Sequence, residues 1–90
     1  MWNLVVTTQF KKDLKRYQNN PSKLVALKDI LEQLQNSGTV DLKHKPHHLT
    51  GEYSGCMECH IQNDFLLVWI NQEKQTISLV RLGSHSELFK

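Results

Sequence analysis

The run Asp64-Phe65-Leu66-Leu67-Val68-Trp69-Ile70 constrains this chain more than any other stretch. Its apolar residues follow one another without polar alternation, which is the pattern of a strand buried on both faces. Such a strand needs partners along both edges and cover on both sides, and in 90 residues most of the remaining sequence must supply them. The flanking segments fit that demand. Trp2 to Val6 reads as a first strand and Thr76 to Leu82 as a last one, both rich in β-branched residues. Tyr53 to Ile61 reads as the strand before the central run, with Gln62-Asn63 as a tight turn between them and Asn71 to Gln75 as the next turn.

Between the first and second strands the period changes. Phe10, Leu14 and Tyr17 recur at helical spacing after Thr7 or Thr8, either of which can cap a helix. Asn19 and Asn20 end that helix, and Pro21 suits the first turn of another. Leu24, Leu27, Leu31 and Leu34, joined by Ile30, form the second apolar stripe, and Gly38 stops it. From Thr39 to His48 the chain is polar, holds Pro46, and is expected to be loop. The sum is an α+β fold of order β-α-α-β-β-β: a two-helix hairpin on one face of a twisted, mainly antiparallel four-stranded sheet, in one domain spanning 1–90. Trp2, Trp69, Leu14 and Tyr17 belong to its packing.

No apolar run approaches the roughly 20 residues that span a bilayer. Met1 to Val6 has no basic stretch before it and meets polar residues at Thr7, so it reads as a strand and not a signal peptide, and the protein is expected in the cytoplasm. The net charge of +2 is no nucleic-acid signature by itself. Its distribution says more: residues 1–48 hold eight Lys/Arg against four Asp/Glu, and residues 49–90 three against five. Lys11, Lys12, Lys15, Arg16, Lys43 and Lys45 make the first half suited to a polyanion, although any one lysine is as readily a solvated helix face.

Cys56-Met57-Glu58-Cys59-His60 matches the C-x-x-C-H signature of c-type haem attachment. The surrounding pattern is extended, and residues an odd number apart in a strand point to opposite faces, so the two thiols diverge. Haem, zinc and a disulfide are all disfavoured, and Cys59 is expected to fill the buried face beside Met57 and Ile61. Glu58 and His60 then share the other face, where Glu58 is expected to meet solvent.

The chemistry lies in the histidines. His47-His48-Leu49-Thr50-Gly51, His60-Ile61-Gln62-Asn63-Asp64 and Arg81-Leu82-Gly83-Ser84-His85-Ser86-Glu87-Leu88-Phe89 each place imidazole where an extended segment begins or ends. Imidazole exchanges protons near neutral pH, so several beside an Arg and an Asp suit proton transfer on a phosphodiester.

The patterns His-x-Leu-x-Gly, His-Ile-x-x-Asp and Arg-x-Gly-x-His-x-x-Leu-Phe resemble the YafQ branch of the RelE-type bacterial toxins, over His47 to Phe89. The resemblance implies the element order above and a small toxin of a type II toxin–antitoxin pair that cuts messenger RNA on the ribosome. It implies His47, His60, Asp64 and His85 as the catalytic set, with Arg81 assisting at the phosphate and Phe89 completing the site. Register on Leu49 and Gly51 favours His47, with His48 the alternative and His44 a remote third. Such a reaction needs a base for the 2′-OH, an acid for the departing 5′-oxygen, a cation for the phosphorane and a surface for the splayed bases. Histidines, Arg81 and Phe89 match those needs, with neither cofactor nor metal. Which imidazole is acid and which is base stays open. The implied partners are mRNA, the ribosome with its rRNA, and a cognate antitoxin of DinJ-like or RelB-like type. The rival reading is a ParE-type toxin that binds DNA gyrase and cuts no RNA.

Overall fold

The computed structural model describes residues 1–89, and the apolar run is its centre. Strand β4 (Phe65–Gln72) lies between β3 (Met57–Gln62) and β5 (Thr76–Gly83), antiparallel to both. Phe65, Leu66, Leu67, Val68 and Trp69 are all buried. Strand β1 (Asn3–Val6) extends the sheet beyond β5, and β2 (His47–His48) extends it beyond β3, giving the order β1-β5-β4-β3-β2.

The sheet therefore has five strands where the sequence suggested four. The added one is the two-residue β2, within the segment read as loop; its register is His47 opposite Glu58 and His48 opposite Met57. Two residues carry too little periodicity to stand out. The sheet is mixed, because β1 runs parallel to β5 while the other pairs are antiparallel.

Helices α1 (Thr8–Lys15) and α2 (Pro21–Ser37) connect β1 to the rest of the sheet and cover one of its faces. The Thr7 hydroxyl caps α1 by accepting from the Phe10 amide, and Asn20 caps α2 by accepting from Lys23, which satisfies donors that have no partner within the helix. Asn20 thus starts the second helix and does not end the first. Tyr17 falls in the turn after α1, yet its ring still packs on Phe65 at 4.8 Å between centroids. Phe10, Leu27, Ile30 and Leu34 meet Cys59, Ile61, Leu67, Trp69 and Leu79 in the main core. No helix among the described residues is long and apolar enough to cross a membrane.

The second strand begins at Met57, not Tyr53, because Gly51–Tyr53 coils into a 3-10 turn. The β3–β4 turn is Asn63-Asp64, one residue later than expected. Asp64 takes it at φ +51, a left-handed conformation that Asp tolerates better than most residues. A four-residue helix, α3 (His85–Leu88), ends the described chain. Leu88 joins Cys56, Leu66 and Val68 in a smaller cluster on the face away from α1 and α2.

Cys56 and Cys59 accordingly pack in different clusters. Burial pushes the Cys59 thiol up to about 12, with the Glu58 charge adding to the effect. A thiol held protonated in this way is neither a ready nucleophile nor a ready metal ligand.

Candidate active site

Sheet register explains which side chains meet. Residues directly opposite one another on paired strands share a face. One such row runs His47, Glu58, Val68, Arg81 across β2, β3, β4 and β5, and the next runs His60, Leu66, Gly83. Met57, Cys59 and Ile61 alternate with these residues and face the helices. The face opposite the helices therefore carries His47, Glu58, His60 and Arg81 together.

After Gly83 the chain turns into α3, and its local chemistry fixes where His85 stands. The Ser84 hydroxyl accepts from the Glu87 amide while the Glu87 carboxylate accepts from the Ser84 amide, a reciprocal cap. His85 is the first helical residue, and Asp64 Oδ1 accepts its amide at 2.9 Å while lying 3.3 Å from its Nδ1. The His85 amide, above all, holds the Asp64 carboxyl below its usual value against desolvation, and the His85 ring adds to that lowering. Asp64 is thus a turn residue and the partner of His85 at once.

Three imidazoles result in a line: His47 to His60 is 6.2 Å between ring centroids, and His60 to His85 is 6.1 Å. Phe89 continues it 6.0 Å from His85, and Tyr53 lies edge-on to Phe89 at 5.5 Å. The two outer imidazoles each have a carboxylate. Asp64 serves His85, and Glu58 Oε1 lies 3.1 Å from His47 Nε2. The Nδ1 of His47 donates to the Lys45 carbonyl at 2.8 Å.

Arg81 stands at the edge of this group. Its Nε and Nη2 donate to Asp13, and its Nη1 donates to the Tyr53 hydroxyl at 3.0 Å. Of five guanidinium hydrogens, two stay uncommitted. The hydrogen bonds to Asp13 raise the Arg81 pKa further, despite burial, so the group stays cationic. A cavity of about 430 Å³ opens beside it, lined by Tyr53, Arg81, Glu87 and Phe89 among others.

The other histidines lie elsewhere. His48 lines a largely apolar cavity of about 520 Å³ on the helix side, with Val40, Met57 and Trp69. His44 donates from Nδ1 to the His60 carbonyl at 2.8 Å, pinning the 3-10 turn Leu42–His44 to β3. The structure thus gathers His47, His60, Asp64, His85 and Phe89, attaches Arg81 through Tyr53, and sets His48 apart. Among the described residues no group of three His, Cys, Asp or Glu side chains is arranged to hold a metal ion.

Two carboxylates escaped the sequence reading. Glu58, expected to face solvent, is only 3 % exposed. Period-two alternation placed it beside His60, but its partner His47 sits on a strand too short to foresee. Asp13, on α1, is fully buried, and nothing in a charged helix stripe announces that its partner is Arg81, far along the chain.

Comparison with known proteins gives a consistent result. The family model for YafQ, the bacterial toxin of type II toxin–antitoxin systems, matches residues 2–90. The mRNA interferase toxin YafQ of Escherichia coli K12 is 30% identical over 83 residues, which is 90% of this chain and 88% of that protein. The crystal structure of a metal-bound toxin from Helicobacter pylori superimposes with a TM-score of 0.85 at 38% identity, covering 99% of this chain and 100% of its own. The E. coli DinJ–YafQ toxin–antitoxin complex gives 0.84 at 24% identity, over 99% of this chain and 98% of that one, a likeness of fold.

Proposed function

The chain belongs to the YafQ family of type II toxins, and on that premise we propose that it is a ribosome-dependent mRNA endoribonuclease held in check by a cognate antitoxin. The observation that carries the reading is the line of imidazoles on the open sheet face, with a carboxylate at each end and a guanidinium nearby. Cleavage by this set needs no metal. One imidazole removes the 2′-OH proton as that oxygen attacks phosphorus, and another protonates the departing 5′-oxygen, leaving a 2′,3′-cyclic phosphate and a 5′-hydroxyl. His47, His60 and His85 are the groups for these transfers, and Asp64 fixes the orientation of His85. The free hydrogens of Arg81 offset charge on the phosphorane, and the exposed Phe89 ring offers a surface for a base. The antitoxin is of the kind that DinJ represents in the E. coli complex.

The test is RNA end mapping after brief expression of the native chain, His60→Ala and His85→Ala. The native chain is expected to produce new 5′-hydroxyl ends within translated messages, and each variant to lose them while still folding. Variants that retain full toxicity without new ends would overturn the nuclease reading and favour a toxin that acts by binding alone.

A further inference from the structure

Glu58 is a buried carboxylate for which the proposed reaction has so far no use. It lies on the site face, one oxygen 3.1 Å from His47 Nε2, and its other oxygen, Oε2, is buried with no hydrogen-bond partner among the described residues. A fold normally satisfies or discards such a group, because a buried acceptor without a donor costs stability. Its cross-strand neighbours are His47 on one side and Val68 on the other, with Arg81 one strand further and already committed to Asp13 and Tyr53. Among the described residues the only charged or ionisable group set against it at ion-pair distance is the His47 ring.

The His47 ring is itself unusually constrained for a side chain that is 45% exposed. Since Nδ1 donates to the Lys45 carbonyl, the tautomer is fixed, and Nε2 is the nitrogen left for proton transfer. That is the nitrogen Glu58 sits beside. A bare lone pair at 3.1 Å from a carboxylate is repelled, whereas a protonated ring is attracted.

We infer that Glu58 is a positioning residue for His47, which holds the ring over the site and stabilises its protonated form during cleavage. The inference rests on the ribonuclease reading. It takes His47 as the base: the 2′-OH proton passes to Nε2 as that oxygen attacks phosphorus, so the cation forms in the transfer, the attraction of the carboxylate grows as the proton arrives, and the carboxylate itself is unchanged. Each outer imidazole then has its own carboxylate, His47 the buried Glu58 at Nε2 and His85 the exposed Asp64 at Nδ1, with His60 between them.

A double-mutant cycle on single-turnover cleavage of ribosome-bound mRNA tests this, using Glu58→Gln, His47→Ala and the pair. Glu58→Gln is isosteric and removes only the charge; it should slow cleavage about 10- to 100-fold, the span of a charge-assisted contact. In the His47→Ala background the same change should cost less than about twofold, because the residue it acts through is gone. Equal losses in both backgrounds overturn the inference, as does a native rate for Glu58→Gln where His47→Ala is impaired, and that second result leaves the nuclease reading standing. A native rate for His47→Ala also overturns the inference, because it takes His47 out of the transfers, whereas absence of cleavage by the native chain removes the nuclease reading itself. Glu58→Met supplies a readout that an ion pair kept for folding would not give: melting at or above the native temperature with slowed cleavage supports the inference. A marked drop in melting temperature assigns Glu58 to the fold instead.

Discussion

The Asp13 carboxylate collects four donors: Gln9 Nε2, Arg81 Nε and Nη2, and the Leu82 amide. The last of these shows why an acid belongs there. Strand β1 stops at Val6, opposite Leu79, so β5 continues past its neighbour, and Asp13 takes the Leu82 amide that lies beyond. Burial alone would raise this carboxyl, but the donors from Arg81, Leu82 and Gln9 outweigh it and hold it below the ordinary value of 3.8. A carboxyl lowered on folding stabilises the protein at neutral pH, and that contribution is lost as pH falls below the ordinary carboxylate range. Asp13→Ala is therefore expected to cost about 3 kcal/mol at pH 7, since it leaves the Arg81 cation with little compensation. In urea unfolding the native chain should lose stability between about pH 5 and pH 2, and the variant should show a shallower decline over the same window. The same side chain fixes Arg81, and through it Tyr53, so cleavage by the variant should fall even where it is fully folded.

Helix α2 ends where its sequence says it should, at Gly38, but for two reasons of which only one could be read. Gly38 adopts φ +75 and donates its amide to the Leu34 carbonyl, the left-handed stop that glycine favours. It also lies against Trp2, so close that an added Cβ would sit 2.3 Å from the indole Cε2. Gly38→Ala must therefore adopt a strained backbone and displace a packed ring, a loss of about 2–4 kcal/mol that thermal or urea unfolding will read. Elements with strong periodicity were legible in this way: the central strand, both helices and the last strand. The elements that complete the site were not. Strand β2 has two residues and α3 has four, and both are held by long-range partners, His47 by Glu58 and His85 by Asp64. The site histidines could be named because they fall in recurrent motifs, but the buried acid behind His47 depended on a strand pairing that no local pattern encodes.

Across the whole molecule, the line of rings is assembled from segments near residues 47, 53, 60, 85 and 89, so only the completed fold presents it. Charge is distributed on the same scale. The carboxylates near the imidazoles, Glu58 and Asp64, are engaged with rings, whereas Lys43 and Lys45 flank a cavity of about 350 Å³ that also contains His60 and Asn63. A polyanion laid along the site face would meet these lysines next to the central imidazole. Binding through phosphates releases counterions, so association with RNA should weaken as salt rises, by about 0.7 to 0.9 logarithmic units per tenfold salt for each phosphate neutralised. Filter binding of the His85→Ala variant to mRNA-programmed ribosomes across a KCl series measures that slope without cleavage intervening. Adding Lys43→Ala should lower the slope by about 0.7 to 0.9, the loss of one phosphate contact, and weaken binding evenly across message sequences. In the cleaving protein the same change should raise the concentration needed for half-maximal rate far more than it lowers the rate at saturation, the signature of a residue that holds the strand without moving protons. An unchanged salt slope in the Lys43→Ala variant would place the RNA path away from this cavity.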